Sequence, residues 1–365
     1  MNNLDYKDTQ KIISAKERLG ILPGLARIMA LLEVMDNPQE KLNIIHIAGT
    51  NGKGTVAESI SEALIKGGYK VGLFTSPYVN DYREQIKING IEICEDELSY
   101  YVEKYSEYEV TEFELLSAVM YKFFFDNNVD YAVVECGMGG LEDATNVESK
   151  NISVITSVSL DHTNFLGDTV CDIAMQKAGI IKENSTCILY PNKETQHIFI
   201  DECKRKNAKL ILVEDSDDFK KNNLKTAQAV LDIIDKRLKA EYPNLPARQE
   251  RIGNILVDGG HNEAAGEALS KIINDEIALV AMLGDKDVKA YLSRVAPHCK
   301  KIIATQVDNK RAMNAADLAK LAKEFCPSVF TIENPIEAFE YARKEGLSLV
   351  CGSFYLARLV RKELL

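Results

Sequence analysis

The stretch Gly49-Thr-Asn-Gly-Lys-Gly-Thr55 constrains this chain more than any other. It follows an apolar run, residues 43–48, that reads as a buried strand. It precedes an amphipathic pattern, residues 56–66, that reads as a helix stopped by Gly67-Gly68. A glycine-rich turn in that context lets backbone N–H groups point inward, and the helix N-terminus adds positive potential, so the turn suits phosphate. Gly49, Thr50, Asn51, Gly52 and Gly54 form the cradle, Lys53 is placed to meet terminal phosphates, and Thr55 offers a hydroxyl to Mg²⁺. The spacing is not Gly-x4-Gly-Lys-Ser/Thr, because Gly54 separates Lys53 from Thr55. A plain glycine turn is the competing reading, and the strand–loop–helix context weighs against it.

The rest of the chain repeats the alternation. Residues 70–75, 131–135 and 152–157 read as strands, and 113–127, 172–181 and 224–239 as helices. Residues 194–218 are more polar and carry no clear element. Glu241-Tyr-Pro-Asn-Leu-Pro246 reads as a linker, with two prolines in four residues. Beyond it a second series places strands at 255–257, 277–283, 301–305, 329–332 and 347–351, with helices at 263–274 and up to about 296. Strand–helix–strand order implies a mostly parallel α/β sheet covered by helices. The length, 365 residues, suits two such domains.

Charge excludes some partners. Lys and Arg number 44 and Asp and Glu 55, a formal net charge of -11, which argues against non-specific binding to nucleic acid or an anionic membrane. Residues 248–365 hold 17 basic and 16 acidic residues, a net of +1; that leaves 27 basic and 39 acidic residues before them, a net of -12. The part with the phosphate loop is therefore the acidic part, and Lys53, backbone N–H groups and metal ions must attract phosphate locally. The eight cysteines show no Cys-x-x-Cys spacing, residues 1–20 are too polar for a secretory signal, and no apolar run reaches membrane-spanning length. A reducing cytoplasm is the expected setting.

Further motifs follow in order: Thr75-Ser-Pro77, Arg83-Glu-Gln-Ile86, Ile88-Asn-Gly90, Glu135-Cys-Gly-Met-Gly-Gly140, Asp143-Ala-Thr-Asn146, Leu160-Asp-His162, Phe165-Leu-Gly-Asp168 and Lys177-Ala-Gly-Ile-Ile-Lys182. Asp258-Gly-Gly-His-Asn262, Gly284-Asp-Lys-Asp287 and Gly352-Ser-Phe-Tyr355 complete the series. With the phosphate loop, this set closely resembles folylpolyglutamate synthase and dihydrofolate synthase of the Mur ligase superfamily, from about Leu19 onward. The resemblance implies a P-loop-type ATPase domain over residues 1–240, a linker at 241–247 and a smaller Rossmann-like α/β domain over 248–365. It implies an ATP-dependent amide ligase that adds L-glutamate to a folate or dihydropteroate through an acyl phosphate, acting as a cytoplasmic monomer.

The same resemblance assigns roles. Lys53, Glu135, His162, Lys177 and Arg248 would serve catalysis. Thr55, Ser76, Glu135, His162 and Lys177 would hold two Mg²⁺ ions, with Lys177 as a carbamate. Glu135 closes a strand where open α/β sheets bind ligands, which suits a metal carboxylate; histidine is an uncommon Mg²⁺ ligand, so His162 rests on the resemblance alone. Arg248, Asp258 and His261 would bind nucleotide from the second domain. Ser76, Arg83, Asp161 and Ser353 would contact substrate, with Arg83 and Ser353 on the incoming glutamate. Lys286 is expected at the domain cleft without a defined role.

The chain departs from the family pattern in three places. The segment between Lys182 and Leu224 is short, and Thr226 stands where an asparagine would contact adenine, so adenine binding is expected to be weaker or rearranged. Ser76-Pro-Tyr-Val79 replaces Ser-Pro-His-Leu, which bears on acceptor choice. Gly139-Gly-Leu-Glu-Asp143 lacks the arginine often found after the glycines. A ligase for another carboxylate and a non-catalytic nucleotide-binding protein are the alternatives.

Overall fold

The β-branched runs form strands and the amphipathic stretches between them form helices. The structure, a computed structural model, describes residues 4–365 apart from 18, 21, 23 and 217. Its chain divides into two units. The first runs to Ser159 and resumes over Thr163–Pro243; the second joins Leu160–His162 to Asn244–Leu365.

The first unit comprises α1 (Tyr6–Glu17), α2 (Ala26–Val34), β1 (Ile44–Ala48), α3 (Lys53–Lys66), β2 (Val71–Phe74), β3 (Ile86–Ile88), β4 (Ile91–Glu92), α4 (Glu95–Tyr105) and α5 (Glu112–Asp126). It continues through β5 (Tyr131–Glu135), β6 (Ile152–Ile155), α6 (Thr163–Leu166), α7 (Val170–Ala178), β7 (Thr186–Leu189), α8 (Gln196–Arg205), β8 (Lys209–Leu212) and α9 (Phe219–Ile234). The strands form one sheet in the order β4-β3-β2-β5-β1-β6-β7-β8, parallel from β2 through β5, β1, β6 and β7 to β8, with the β2–β3 and β3–β4 pairings antiparallel.

All five residues of β1 are buried, as a central parallel strand requires. Alternation along its neighbour β5 feeds two cores. Val133 joins the cluster of Val56, Ile60, Leu64, Val230 and Leu231 beneath α3 and α9. Ala132 and Val134 face the cluster built on α5 through Leu116, Val119, Phe123 and Phe124. The start of α5 is held by a reciprocal cap: Glu114 N donates to Thr111 Oγ1 at 3.2 Å, and Thr111 N donates to Glu114 Oε2 at 2.7 Å.

Three expectations shift. Helix α3 begins at Lys53 rather than at residue 56, so the lysine of the phosphate loop is itself the first helical residue. Helix α9 begins at Phe219, five residues early, because Asp218 caps it by accepting from Lys220 N and Lys221 N. The polar region 194–218 contains α8 and the edge strand β8, whose four residues are at most half-buried and so leave little apolar signal.

The second unit comprises β9 (Glu250–Ile252), β10 (Ile255–Val257), α10 (Glu263–Ser270), β11 (Glu276–Val280), α11 (Val288–Val295), β12 (Cys299–Ala304), α12 (Ala315–Ala322), β13 (Val329–Thr331), α13 (Pro335–Glu345), β14 (Leu349–Cys351) and α14 (Phe354–Leu364). Its sheet runs β13-β12-β11-β14-β10-β9, parallel except for β9. Helices α10, α11 and α12 pack on one face and α13 and α14 on the other, a Rossmann-like arrangement. Strand β11 and helix α10 both end sooner than their sequence patterns suggest.

Candidate active site

Register places the first group of site residues. The phosphate loop leaves the C-terminal end of β1, and Ile47 pairs with Glu135, the last residue of the neighbouring β5. On the other side, Ala48 pairs with Ile155 of β6. Loop backbone and carboxylate therefore share the end of the sheet where ligands bind in open α/β folds.

The loop is braced by the segment after β6. Thr50 N donates to Ser157 O at 2.6 Å, Thr50 Oγ1 donates to Ser159 O at 3.0 Å, and Asn51 N donates to Ser157 Oγ at 3.3 Å. Two positions admit only glycine. A Cβ on Gly49 would lie 1.7 Å from Thr156 Oγ1, and Gly52, at φ +88°, would meet Asn223 Oδ1 at 2.7 Å.

Glu135 is buried, 1% exposed, with Lys53 Nζ 3.8 Å from its Oε1 and Ser76 N donating to its Oε2 at 3.1 Å. Thr55 lies in the first turn of α3 and is also buried. Glu135, Thr55 and Ser76 are oxygen donors, the hard set that Mg²⁺ selects alongside phosphate oxygens. Among the described residues no group of three or more His, Cys, Asp or Glu converges as a metal cage. Mg²⁺ is ordinarily held by one or two carboxylates with water and substrate phosphate oxygens, and the donor set fits that pattern. Lys177 is 2% exposed in the last turn of α7, so it is not a solvated helix lysine. Its backbone packs against Gly140, where an added Cβ would come within 3.0 Å of Lys177 Cα.

Beneath Glu135 lies a network that sequence reasoning missed. His46 sits in the middle of β1, fully buried, with Nδ1 2.9 Å from Glu148 Oε1. Its Nε2 lies 2.8 Å from Thr145 Oγ1 and 3.1 Å from Cys136 Sγ, the residue after Glu135. Thr145 Oγ1 donates to Asp143 Oδ1 at 2.5 Å, and Asp143 Oδ2 accepts from Met138 N at 2.7 Å, which ties the turn 137–140 to the same network. Burial alone would lower the His46 pKa, but Cys136 and Glu148 push it up to about 10. Burial would raise the Glu148 carboxyl, but His46 and Lys182 hold it below its ordinary value.

Because the folded-state pKa of His46 lies above its ordinary 6.5, its contribution to stability is full below that value and is lost as pH rises toward 10. Glu148→Gln leaves an imidazolium buried without its carboxylate, and we expect a loss of about 3–5 kcal/mol. Denaturant midpoints at pH 6, 8 and 10 check this: the wild type weakens over that range and the variant changes less. A wild-type midpoint that does not fall with pH refutes it.

The expected substrate contact Arg83 is already engaged. Its Nε donates to Asp81 Oδ1 at 2.9 Å, its NH2 lies 3.6 Å from Glu95 Oε1, and its guanidinium stacks 5.1 Å from the Tyr6 ring centre. Tyr6 also donates to Asp81. Thr226, where an adenine-contacting asparagine was expected, is fully buried and donates to Asn222 O at 2.8 Å. Asn222 itself holds the 215–216 turn, donating to Asp215 Oδ1 at 3.0 Å and accepting from Ser216 Oγ at 2.6 Å. The side chain next to the phosphate loop is Asn223.

In the second unit, three loops follow the neighbouring strands β11, β14 and β10, and each starts a helix. Asp287 caps α11, Ser353 caps α14 and Asn262 caps α10, accepting from Ala290 N at 3.0 Å, Tyr355 N at 3.1 Å and Ala265 N at 2.9 Å respectively. Asp258 accepts from Gln249 N at 2.9 Å and Gly260 N at 2.7 Å, so its carboxylate shapes the local backbone. Arg248 is exposed, with its guanidinium 4.3 Å from the Phe354 ring centre.

Leu160–His162 belongs with these loops. Lys286 Nζ donates to Asp161 Oδ1 at 2.7 Å and lies 3.2 Å from His162 Nε2, while Asn262 Nδ2 donates to Asp161 Oδ2 at 3.2 Å. Burial would raise the Asp161 carboxyl, but His162, Lys286 and His261 hold it far below the usual range. Burial, and then Lys286, push His261 down to about 4, so it is neutral at pH 7.

Residues 47–245 match the family model of the Mur ligase middle domain, and residues 247–354 that of the Mur ligase glutamate ligase domain. The chain is 30% identical to the dihydrofolate synthase/folylpolyglutamate synthase of Bacillus subtilis, over 98% of this chain and 99% of that one. The chain belongs to the Mur ligase family, in its folylpolyglutamate and dihydrofolate synthase branch. A solved member of that branch, the Mycobacterium tuberculosis folylpolyglutamate synthase complexed with ADP, superposes with a TM-score of 0.86 at 26% identity, covering 98% of this chain and 99% of that one. The bifunctional enzyme of Yersinia pestis, complexed with AMPPNP and an Mn ion, shares the fold at TM-score 0.86 and 23% identity, covering 99% of this chain and 98% of that one. The fold class and the family expected from the sequence are both borne out. Among the described residues no helix is long and apolar enough to cross a membrane.

Proposed function

We propose that this Mur-family ligase joins the amino group of L-glutamate to the carboxylate of a folate or dihydropteroate, using ATP, as a cytoplasmic monomer. The observation that carries the reading is the close set of Lys53, Thr55 and buried Glu135 at the end of β1 and β5. A carboxylate is a poor electrophile, so it is first phosphorylated, and the amine then displaces phosphate from the acyl phosphate. Both steps concentrate negative charge, and the protein must set positive charge where it develops. Lys53 and the loop N–H groups do this for the transferred phosphate.

Thr55, Ser76, Glu135, Lys177 as a carbamate, and His162 are the residues we assign to two Mg²⁺ ions. These would supply Lewis-acid neutralisation of the phosphate oxygens. Arg248, Asp258 and His261 are assigned to the nucleotide, and Asp161, Arg83 and Ser353 to the substrates. Arg83 would meet a substrate carboxylate by exchanging its contact with Glu95, while Asp81 holds its Nε and the Tyr6 ring lies beside its guanidinium. Eight free thiols suit a reducing compartment.

A substrate panel tests the assignment. With ATP, Mg²⁺ and glutamate fixed, ADP release should require a pteroyl acceptor, and the product should gain one glutamyl residue by mass. No glutamate-dependent turnover with any pterin overturns it. The one observation that favours another carboxylate acceptor is Tyr78, which replaces the family histidine and packs on Tyr82 with ring centres 4.6 Å apart.

A further inference from the structure

The ligase reading leaves Lys286, in the Gly284–Asp287 motif, without a task. Its side chain is 5% exposed and lies within the second unit, together with Asp161, His162, His261 and Asn262. The ammonium is 2.7 Å from Asp161 Oδ1 and 3.2 Å from His162 Nε2. An ammonium has only hydrogens to offer, so Nε2 accepts and its lone pair is directed at Lys286. A lone pair used in this way is not available to a metal ion. Nor do two cations share a nitrogen at close range, because their repulsion in a partly buried site is only weakly screened.

We propose that Lys286 occupies the cation position at His162 Nε2 in the metal-free protein, so that a divalent ion reaches that nitrogen only by displacing the lysine. The inference rests on the assignment of His162 as a metal ligand. Displacement does not strand either partner. Asp161 can retain the ammonium through Oδ1, and its Oδ2 keeps the amide of Asn262. The exchange therefore gives up one hydrogen bond and leaves the ion pair intact, which makes the lysine a competitor of moderate strength. It sets a threshold for the second ion and leaves the first, at Thr55 and Glu135, untouched. It also frees the lysine's other hydrogens when the ion arrives, so loading of the ion and release of the ammonium are one event.

The test is Mn²⁺ titration of the full chain with a saturating non-hydrolysable ATP analogue, followed by the paramagnetic signal of free Mn²⁺. Wild type, Lys286→Met, His162→Ala and the double variant are compared. The weaker Mn²⁺ site should tighten about tenfold in Lys286→Met, an ordinary size for a coupling between two bound groups. That gain should vanish in the His162→Ala background. Lys286→Gln, which keeps a neutral donor for Asp161, should show the same gain and serves if the methionine variant does not fold. No tightening, or equal tightening with and without His162, overturns the proposal; the second result would show only a charge acting at a distance. If His162→Ala leaves Mn²⁺ affinity unchanged, the assignment of His162 as a ligand fails, and this inference fails with it.

Discussion

Lys53→Ala should lower kcat by about 10²–10³-fold, the usual effect of removing one preorganised group that stabilises transition-state charge. Lys53 is the first residue of α3, its Nζ is 3.8 Å from Glu135 and 3.4 Å from Thr50 O, and it is only partly exposed. It is thus held at the mouth of the phosphate loop by contacts to the loop itself. Removing the ammonium takes a cation from beside the buried Glu135 carboxylate, so the variant should lose some stability, and its kinetics are read at a temperature where it remains folded. Its KM for ATP should change less than its kcat, since the loop N–H groups still bind the nucleotide. The measurement is initial-rate kinetics with the full substrate set. A drop smaller than about tenfold in kcat would show that another cation carries the charge.

The second large effect belongs to Glu135→Gln. The substitution keeps the shape and the hydrogen bond from Ser76 N while removing a negative charge that is almost entirely buried. If Glu135 holds an ion against phosphate, turnover should fall by about 10²-fold or more, because a metal supplies several kcal/mol to charge development. Folding stability should hold or rise, because one buried charge fewer needs compensation. Mn²⁺ binding should weaken in parallel with activity. A variant that keeps Mn²⁺ affinity yet loses turnover would separate Glu135 from the ion and leave it a partner of Lys53 alone.

Much of this site could be read from residues 49–55 and 135–146. Glycines with a lysine between a strand and a helix leave few alternatives, and a strand-end carboxylate before a second glycine run points to the same edge of the sheet. What sequence could not show depends on register. His46 looks like one apolar-strand residue among others until β1 and β5 are paired, which brings Cys136, Thr145 and Glu148 around it. The Thr226 substitution was visible, but that Asn222 is bound to the 215–216 turn and Asn223 faces Gly52 follows only from where α9 starts. The motif alone assigns Arg83 to glutamate; that its guanidinium is held by Asp81 and Tyr6 could not be read there, because Tyr6 lies 77 positions away in α1.

The three-residue excursion at Leu160–His162 matters for anyone who wants to cut this chain. A break after Pro243 follows the polypeptide but not the packing, because the second unit includes three residues that lie about 80 positions upstream of Asn244. Expressed from residue 244, that unit would keep Lys286, its side chain 5% exposed, and lose the carboxylate it is bonded to. It would then be an incomplete structure with an unpaired charge at its centre. Its instability would say nothing about the autonomy of a domain, and restoring Asp161 on a grafted loop would be the fair comparison.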